Sequence, residues 1–193
     1  MNVYDFDKTI LNDDSTKLFL LYCFRKMPRL FFKGPVDKIS SFYAYAAGKK
    51  SVDRFKENMF GFLPYVSDLN VLLQDFWDRN MWRVEPYYRK VQRPDDLIIS
   101  ASPDFLVRPM AERLGAELIA TDMSPFSGKI RGVNCKREEK VRRFRQLYPD
   151  ASVEAFYSDS LSDTPMAKLA DQAWLIVDHE PVPWPFEKSS AGQ

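Results

Sequence analysis

Two carboxylates lie two residues apart in Val3-Tyr4-Asp5-Phe6-Asp7-Lys8-Thr9, directly after a very short apolar run. Like charges this close are unfavourable unless a cation sits between them. The stretch reads either as an acidic turn or as half of a metal and phosphate site. Two further polar clusters end apolar runs: Ile98-Ile99-Ser100-Ala101-Ser102 and Tyr157-Ser158-Asp159-Ser160-Leu161-Ser162-Asp163. In a parallel sheet these ends would share one edge, and Asp5, Asp7, Asp159 and Asp163 would crowd into one crevice. Such a crowd calls for a cation, and Mg2+ favours hard oxygen ligands while keeping some water. Each cluster also has a plain structural reading. Ser102 before Pro103 is a good helix cap, and Asp163 before Thr164-Pro165 suits a helix start.

The elements around these clusters follow from the apolar spacing. Residues 2–6 read as a buried strand. A helix follows from a cap at Asp14 or Ser15, with Leu18, Leu21, Tyr22 and Arg25 at helical spacing. The stretch from Met27 to Pro35 breaks it, and further helices are expected over 36–47, 51–62 and 68–82. The pattern then alternates. Strands are expected at 95–102, 116–122, 153–159 and 173–178, with helices at 102–115, 137–148 and 164–170. Ser127 to Gly132 carries turn residues, with a hairpin as one option. The proline-rich segment 179–193 reads as an irregular tail with His179 exposed. One strand, a helical insert and then alternating strand and helix make an α/β plan, with a mostly parallel, Rossmann-like sheet flanked by helices.

Composition narrows the function classes. The chain has 193 residues, 45% hydrophobic and 28% charged, with a net charge of +1. No overall field points to nucleic acid, and Arg137, Arg142, Arg143 and Arg145 read as a solvated helix face. The two cysteines, Cys23 and Cys135, form no disulfide framework, which fits a reducing cytoplasm. A single histidine, His179, excludes a His-rich metal site. The apolar stretch 18–24 is too short to span a bilayer, and no leader is expected because Asp5 and Asp7 interrupt the start.

The joint order of Asp5-Phe6-Asp7-Lys8-Thr9, Ser100, Lys140 and Asp159 to Asp163 resembles the haloacid dehalogenase superfamily of Mg2+-dependent phosphatases, in the branch containing phosphoserine phosphatase. The resemblance covers residues 1–14 and 95–178. It implies a catalytic core of residues 1–14 and 90–193 and a helical cap over 15–89. It implies Asp5 as nucleophile, Asp7 as general acid and base, and Thr9, Ser100, the Ala101 amide and Lys140 around the phosphate. Lys136, in the same loop, is the alternative to Lys140. Asp5, Asp7, Asp159 and Asp163 would hold Mg2+. An Asp at position 7 favours phosphate-ester hydrolysis, or a mutase, over dehalogenation and over the phosphate-transferring ATPases.

The implied cap bears on the substrate. Asp14 falls near the position where phosphoserine phosphatases keep an acidic residue, but Met59 falls where they keep an Arg, with Arg54 nearby. The insert is rich in aromatics, most of which must pack its helices. The resemblance implies a small phosphorylated substrate, either phosphoserine-like or a lipid head-group phosphate, and the stretch from Met27 to Pro35 could touch a membrane surface. A phosphomutase or phosphotransferase on the same aspartyl-phosphate, and a binding module without turnover, are the other readings.

Overall fold

A six-stranded sheet runs through the computed structural model of the chain, which describes residues 1–33, 38–48 and 51–186. Its strands are β1 (Asn2–Tyr4), β2 (Leu97–Pro103), β3 (Glu117–Thr121), β4 (Val153–Ser158), β5 (Ala170–Val177) and β6 (Glu180–Pro183), in the order β3-β2-β1-β4-β5-β6. The first five are parallel and β6 is antiparallel to β5. All of β1 and Leu97 to Ile99 of β2 are buried, as strands covered on both faces must be. The chain leaves β1 toward β2 and β3, then returns to β4 on the other side of β1. That reversal opens a crevice at the carboxyl ends of β1, β2 and β4, where ligands bind in open α/β sheets.

Alternation along the strands divides the core between two faces. Tyr4 and Ile98 join Phe6, Phe19, Phe76, Trp77, Leu106 and Met110 on one side. Val3, Leu97 and Ile99 join Phe144, Phe156 and Met166 on the other. The helices on these faces are α7 (Asp104–Leu114), α8 (Glu138–Leu147) and α9 (Thr164–Ala167). Gly115 ends α7 at φ 66°, the left-handed conformation that glycine adopts without strain.

Between β1 and β2 lie α1 (Ser15–Lys26), α2 (Pro28–Phe31), α3 (Lys38–Ala46), α4 (Val52–Met59), α5 (Leu69–Asp78) and α6 (Pro86–Val91). Asp14 caps α1 by accepting the Lys17 amide, and Arg25 and Lys26 complement its carboxyl end. Of the helix expected over 36–47, residues 36 and 37 lie outside the described residues. The helix expected over 68–82 stops at Asp78, and Met81–Arg83 forms a separate 3-10 turn. The insert is not packed uniformly. α1 and α5 rest on α7, and the Trp77 indole donates to the Leu106 carbonyl at 2.8 Å. α3 and α4 pack on each other and face the crevice.

The segment from residue 179 is not irregular throughout. Asp178 and His179, at φ 48° and 71°, make a two-residue turn, and Glu180 to Pro183 pair with Trp174 to Val177. Prolines are tolerated there because β6 is an edge strand. The turn brings His179 Nδ1 to 2.6 Å from the buried carboxylate of Glu85. Residues 187–193 lie outside the described residues. Cys23 and Cys135 are both buried and unpaired, and no described helix is long and apolar enough to cross a membrane.

Candidate active site

Asp5 follows β1 directly, and its amide donates to the Tyr157 carbonyl of β4 at 2.8 Å. Its carboxylate meets the ammonium of Lys140, which enters from the first turn of α8. Lys140 donates to Asp5 Oδ1 at 2.9 Å and to Asp163 Oδ2 at 2.7 Å, and its side chain is only 2% exposed. Ser158 also donates to Asp163, at 2.9 Å. Burial pushes the Asp5 carboxyl up to about 7, with Lys140 resisting and Asp163 adding to the rise. Burial works against the Lys140 charge as well, yet Asp5 and Asp163 hold its pKa above the usual lysine value. Lys136, the alternative, also lines the cavity, but its ammonium lies 3.9 Å from Asp53 of α4.

Asp7 is held by a second set of donors. The Ser15 amide, at the start of α1, donates to Oδ1 at 2.7 Å, and the Ser102 hydroxyl donates to Oδ2 at 2.5 Å. Burial, then the charge of Asp14, pushes the Asp7 carboxyl up to about 6 against these hydrogen bonds. Ser102 is therefore not a helix cap. β2 continues through Pro103, which occupies the cap position of α7, and the β2–β3 register shifts between Ser100 and Pro103. Such an irregularity re-aims a side chain, and here Ser102 faces Asp7.

Two residues expected at the phosphate stand behind the cavity wall. Thr9 is fully buried, and its hydroxyl accepts the Asp159 amide at 3.0 Å, so it braces the Asp159 loop. Ser100 is 1% exposed, and its oxygen accepts the Ser102 amide at 3.0 Å. Ala101 and Ser102 line the cavity instead.

The four carboxylates do not form one ligand cluster. Asp7 is engaged by Ser15 and Ser102, and Asp163 by Lys140 and Ser158. Among the described residues no group of three or more His, Cys, Asp or Glu side chains gathers around one point. Asp5, which also accepts from Lys140, and Asp159 both line the cavity, and burial raises both. That pair fits Mg2+, which is commonly held by one or two carboxylates plus substrate phosphate and water.

The cavity measures about 690 Å³ and is shared between sheet edge and insert. Asp5, Asp7, Lys140, Asp159 and Asp163 line it, while Leu20, Tyr45, Val52, Phe55 and Met59 supply apolar lining. Asp14 and Met59 thus both face the cavity. Spacing gave no signal for Lys56, whose ammonium reaches across from α4 to the Ala101 carbonyl at 3.1 Å. Burial lowers its pKa. The basic face of α8 is also less uniform than expected. Arg142 is solvated beside Glu139, but Arg143 is only 16% exposed and donates to the Ala120 and Val133 carbonyls. Arg137 lines the cavity, with its backbone at φ 54°.

The family model for haloacid dehalogenase-like hydrolases matches residues 3–168. The chain belongs to that family. Over 83 residues it is 39% identical to Protein CicA of Caulobacter vibrioides (strain NA1000 / CB15N), a match covering 39% of this chain and 37% of that protein. Less than two thirds of the relative's length is therefore spanned. Among solved structures, a protein with unknown function from Bordetella pertussis Tohama I aligns with a TM-score of 0.76 at 22% identity, covering 91% of this chain and 88% of that one. A phosphoserine phosphohydrolase-like protein from Francisella tularensis subsp. tularensis SCHU S4 aligns with a TM-score of 0.55 at 16% identity, covering 93% and 88%. At these identities the likeness is one of fold, and it matches the mostly parallel α/β architecture of the family.

Proposed function

We propose that this hydrolase is a Mg2+-dependent phosphomonoesterase acting through an aspartyl-phosphate on Asp5. The observation that carries the reading is the Lys140 ammonium, buried between Asp5 and Asp163 on the lining of a cavity. A buried cation beside a carboxylate that lines a cavity suits a site where an anion must approach an anion.

In the first step an Asp5 oxygen attacks phosphorus, and the ester P–O bond breaks. Asp7 gives its proton to the departing alcohol oxygen. In the second step Asp7 takes a proton from water as that water attacks phosphorus, the Asp5–phosphorus bond breaks, and inorganic phosphate leaves. Lys140 neutralises charge on Asp5 and phosphate throughout. Mg2+ bound by Asp5, Asp159 and the Asp7 carbonyl would supply further positive charge to the phosphate oxygens. Thr9 keeps the Asp159 loop in place.

The non-phosphate part of the substrate would meet Leu20, Tyr45, Phe55 and Met59. That wall favours an apolar portion over the carboxylate and ammonium of phosphoserine. A second contact is proposed at the surface. Phe24 and Phe32 are 42% and 52% exposed beside Arg25, Arg29 and Lys33, a composition suited to an anionic lipid surface. Gly34 and Pro35 of the same stretch lie outside the described residues.

The test uses purified chain with Mg2+ and 4-nitrophenyl phosphate. Phosphate release that stops with EDTA and with Asp5→Asn supports the reading. Release that survives both would falsify it.

A further inference from the structure

Ser102 uses all of its hydrogen-bonding capacity at the site. A hydroxyl has one proton and two lone pairs. The proton goes to Asp7 Oδ2 at 2.5 Å. The lone pairs receive Ser15 Oγ at 3.2 Å and Thr16 Oγ1 at 3.1 Å. Ser102 is 2% exposed and Ser15 is fully buried, so water has little access to the Ser102 hydroxyl. The Ser102 amide is tied too, donating to Ser100 Oγ at 3.0 Å.

We infer that Ser102 is a positioning residue for Asp7, fixing the orientation of its carboxyl group for proton transfer. The inference rests on the phosphatase reading above, in which Asp7 protonates the leaving oxygen. Asp7 Oδ1 is held by the Ser15 amide and Oδ2 by Ser102, so the two donors together set the plane of the carboxyl group. One donor comes from the first turn of α1 and the other from the end of β2. Without the Ser102 hydroxyl, Asp7 keeps one anchor and turns about it, and Ser15 and Thr16 lose their common acceptor. A misplaced acid slows proton transfer without removing the nucleophile, Lys140 or the Asp159 loop, none of which Ser102 touches.

Leaving-group dependence separates this role from a structural one. Phenolate is a poor leaving group whose conjugate acid titrates near 10, as tyrosine does, and it needs the proton. 4-Nitrophenolate departs with little help. Ser102→Ala is expected to lower kcat/KM for phenyl phosphate by about tenfold or more than it does for 4-nitrophenyl phosphate. Should Ser102→Ala not fold, Ser102→Gly removes the same hydroxyl and is read in the same way. Equal losses on the two esters, or no loss on phenyl phosphate, overturn the inference. The two readings fail separately: wild-type chain inactive on both esters removes the phosphatase reading and this inference with it. Wild-type turnover that Asp5→Asn abolishes keeps the former whatever Ser102→Ala does.

Discussion

The backbone carbonyl of Phe60 stands where Gly128 has no side chain: a Cβ on Gly128 would lie 2.6 Å from it. Phe60 caps the carboxyl end of α4, and Gly128, at φ 69°, belongs to the loop between β3 and α8. We predict that Gly128→Ala loses about 2–4 kcal/mol, from left-handed strain plus a clash with backbone that cannot rotate away. Because α4 carries Phe55, Lys56 and Met59 into the cavity, KM should rise alongside. Thermal unfolding decides the first point, and an unchanged Tm would show that the loop yields freely.

Lys140 is the only cation within hydrogen-bond reach of Asp5 and Asp163 among the described residues. Lys140→Met leaves two buried carboxylates without it. A loss of about 3–5 kcal/mol is expected, together with loss of activity. Urea denaturation at neutral pH measures it. A cost below about 1 kcal/mol would mean that the carboxylates do not depend on the ammonium for their burial.

His179 offers a pH test. Hydrogen bonding to Glu85, then its charge, raises the imidazole pKa above the usual value. The folded chain therefore favours the imidazolium. Its contribution to stability is fully present below about 6.5 and is lost as pH rises through the higher folded value. With 66% of the side chain exposed, the effect on stability will be small, but the titration itself is easy to see. The chain has one histidine, so its Hε1 proton gives one NMR signal. Glu85→Gln should move that titration downward, and a wild-type midpoint at or below 6.5 would contradict the contact.

Millimolar Mg2+ should raise the Tm of the wild-type chain, since a ligand that binds only the folded state stabilises it. Asp159→Asn should show a clearly smaller rise and little hydrolysis. A rise of equal size in both would place the ion elsewhere.

At low salt the chain should sediment with anionic liposomes and not with zwitterionic ones. Replacing both Phe24 and Phe32 with Ser should weaken this while leaving hydrolysis of 4-nitrophenyl phosphate intact. Failure to sediment with anionic vesicles removes the surface contact.

Local chemistry made much of this readable from sequence. The strands at Val3, Leu97 to Ile99 and Ala155 to Tyr157 show as short apolar runs, and Asp5 and Asp159 stand just beyond two of them. What escaped depends on partners distant in sequence. Ser102 before Pro103 satisfies every local rule for a helix cap, and only the strand continuing past Ser100 turns it toward Asp7. Lys56 lies on a helix whose pattern says nothing about Ala101. Pro181 and Pro183 argue against a strand until the strand is known to be at the edge. Thr9 bracing the Asp159 loop and Ser100 accepting the Ser102 amide are likewise contacts that no local pattern shows.

The reversal of strand order at β1 also bears on how the chain assembles. Asn2 to Tyr4 pair with Leu97 and Ile98 on one side and with Ala155 to Tyr157 on the other. Both partners are synthesised long after β1. Contacts so far apart in sequence form slowly, because a long loop must close before any of them is gained. Until β4 is complete, Asp5 has neither the Tyr157 carbonyl for its amide nor Asp163 to share its lysine. Asp5 is translated early and gains its partners late, so a nascent chain halted before Val153 would hold the Asp5–Asp7 pair without the surroundings that the proposed reaction needs.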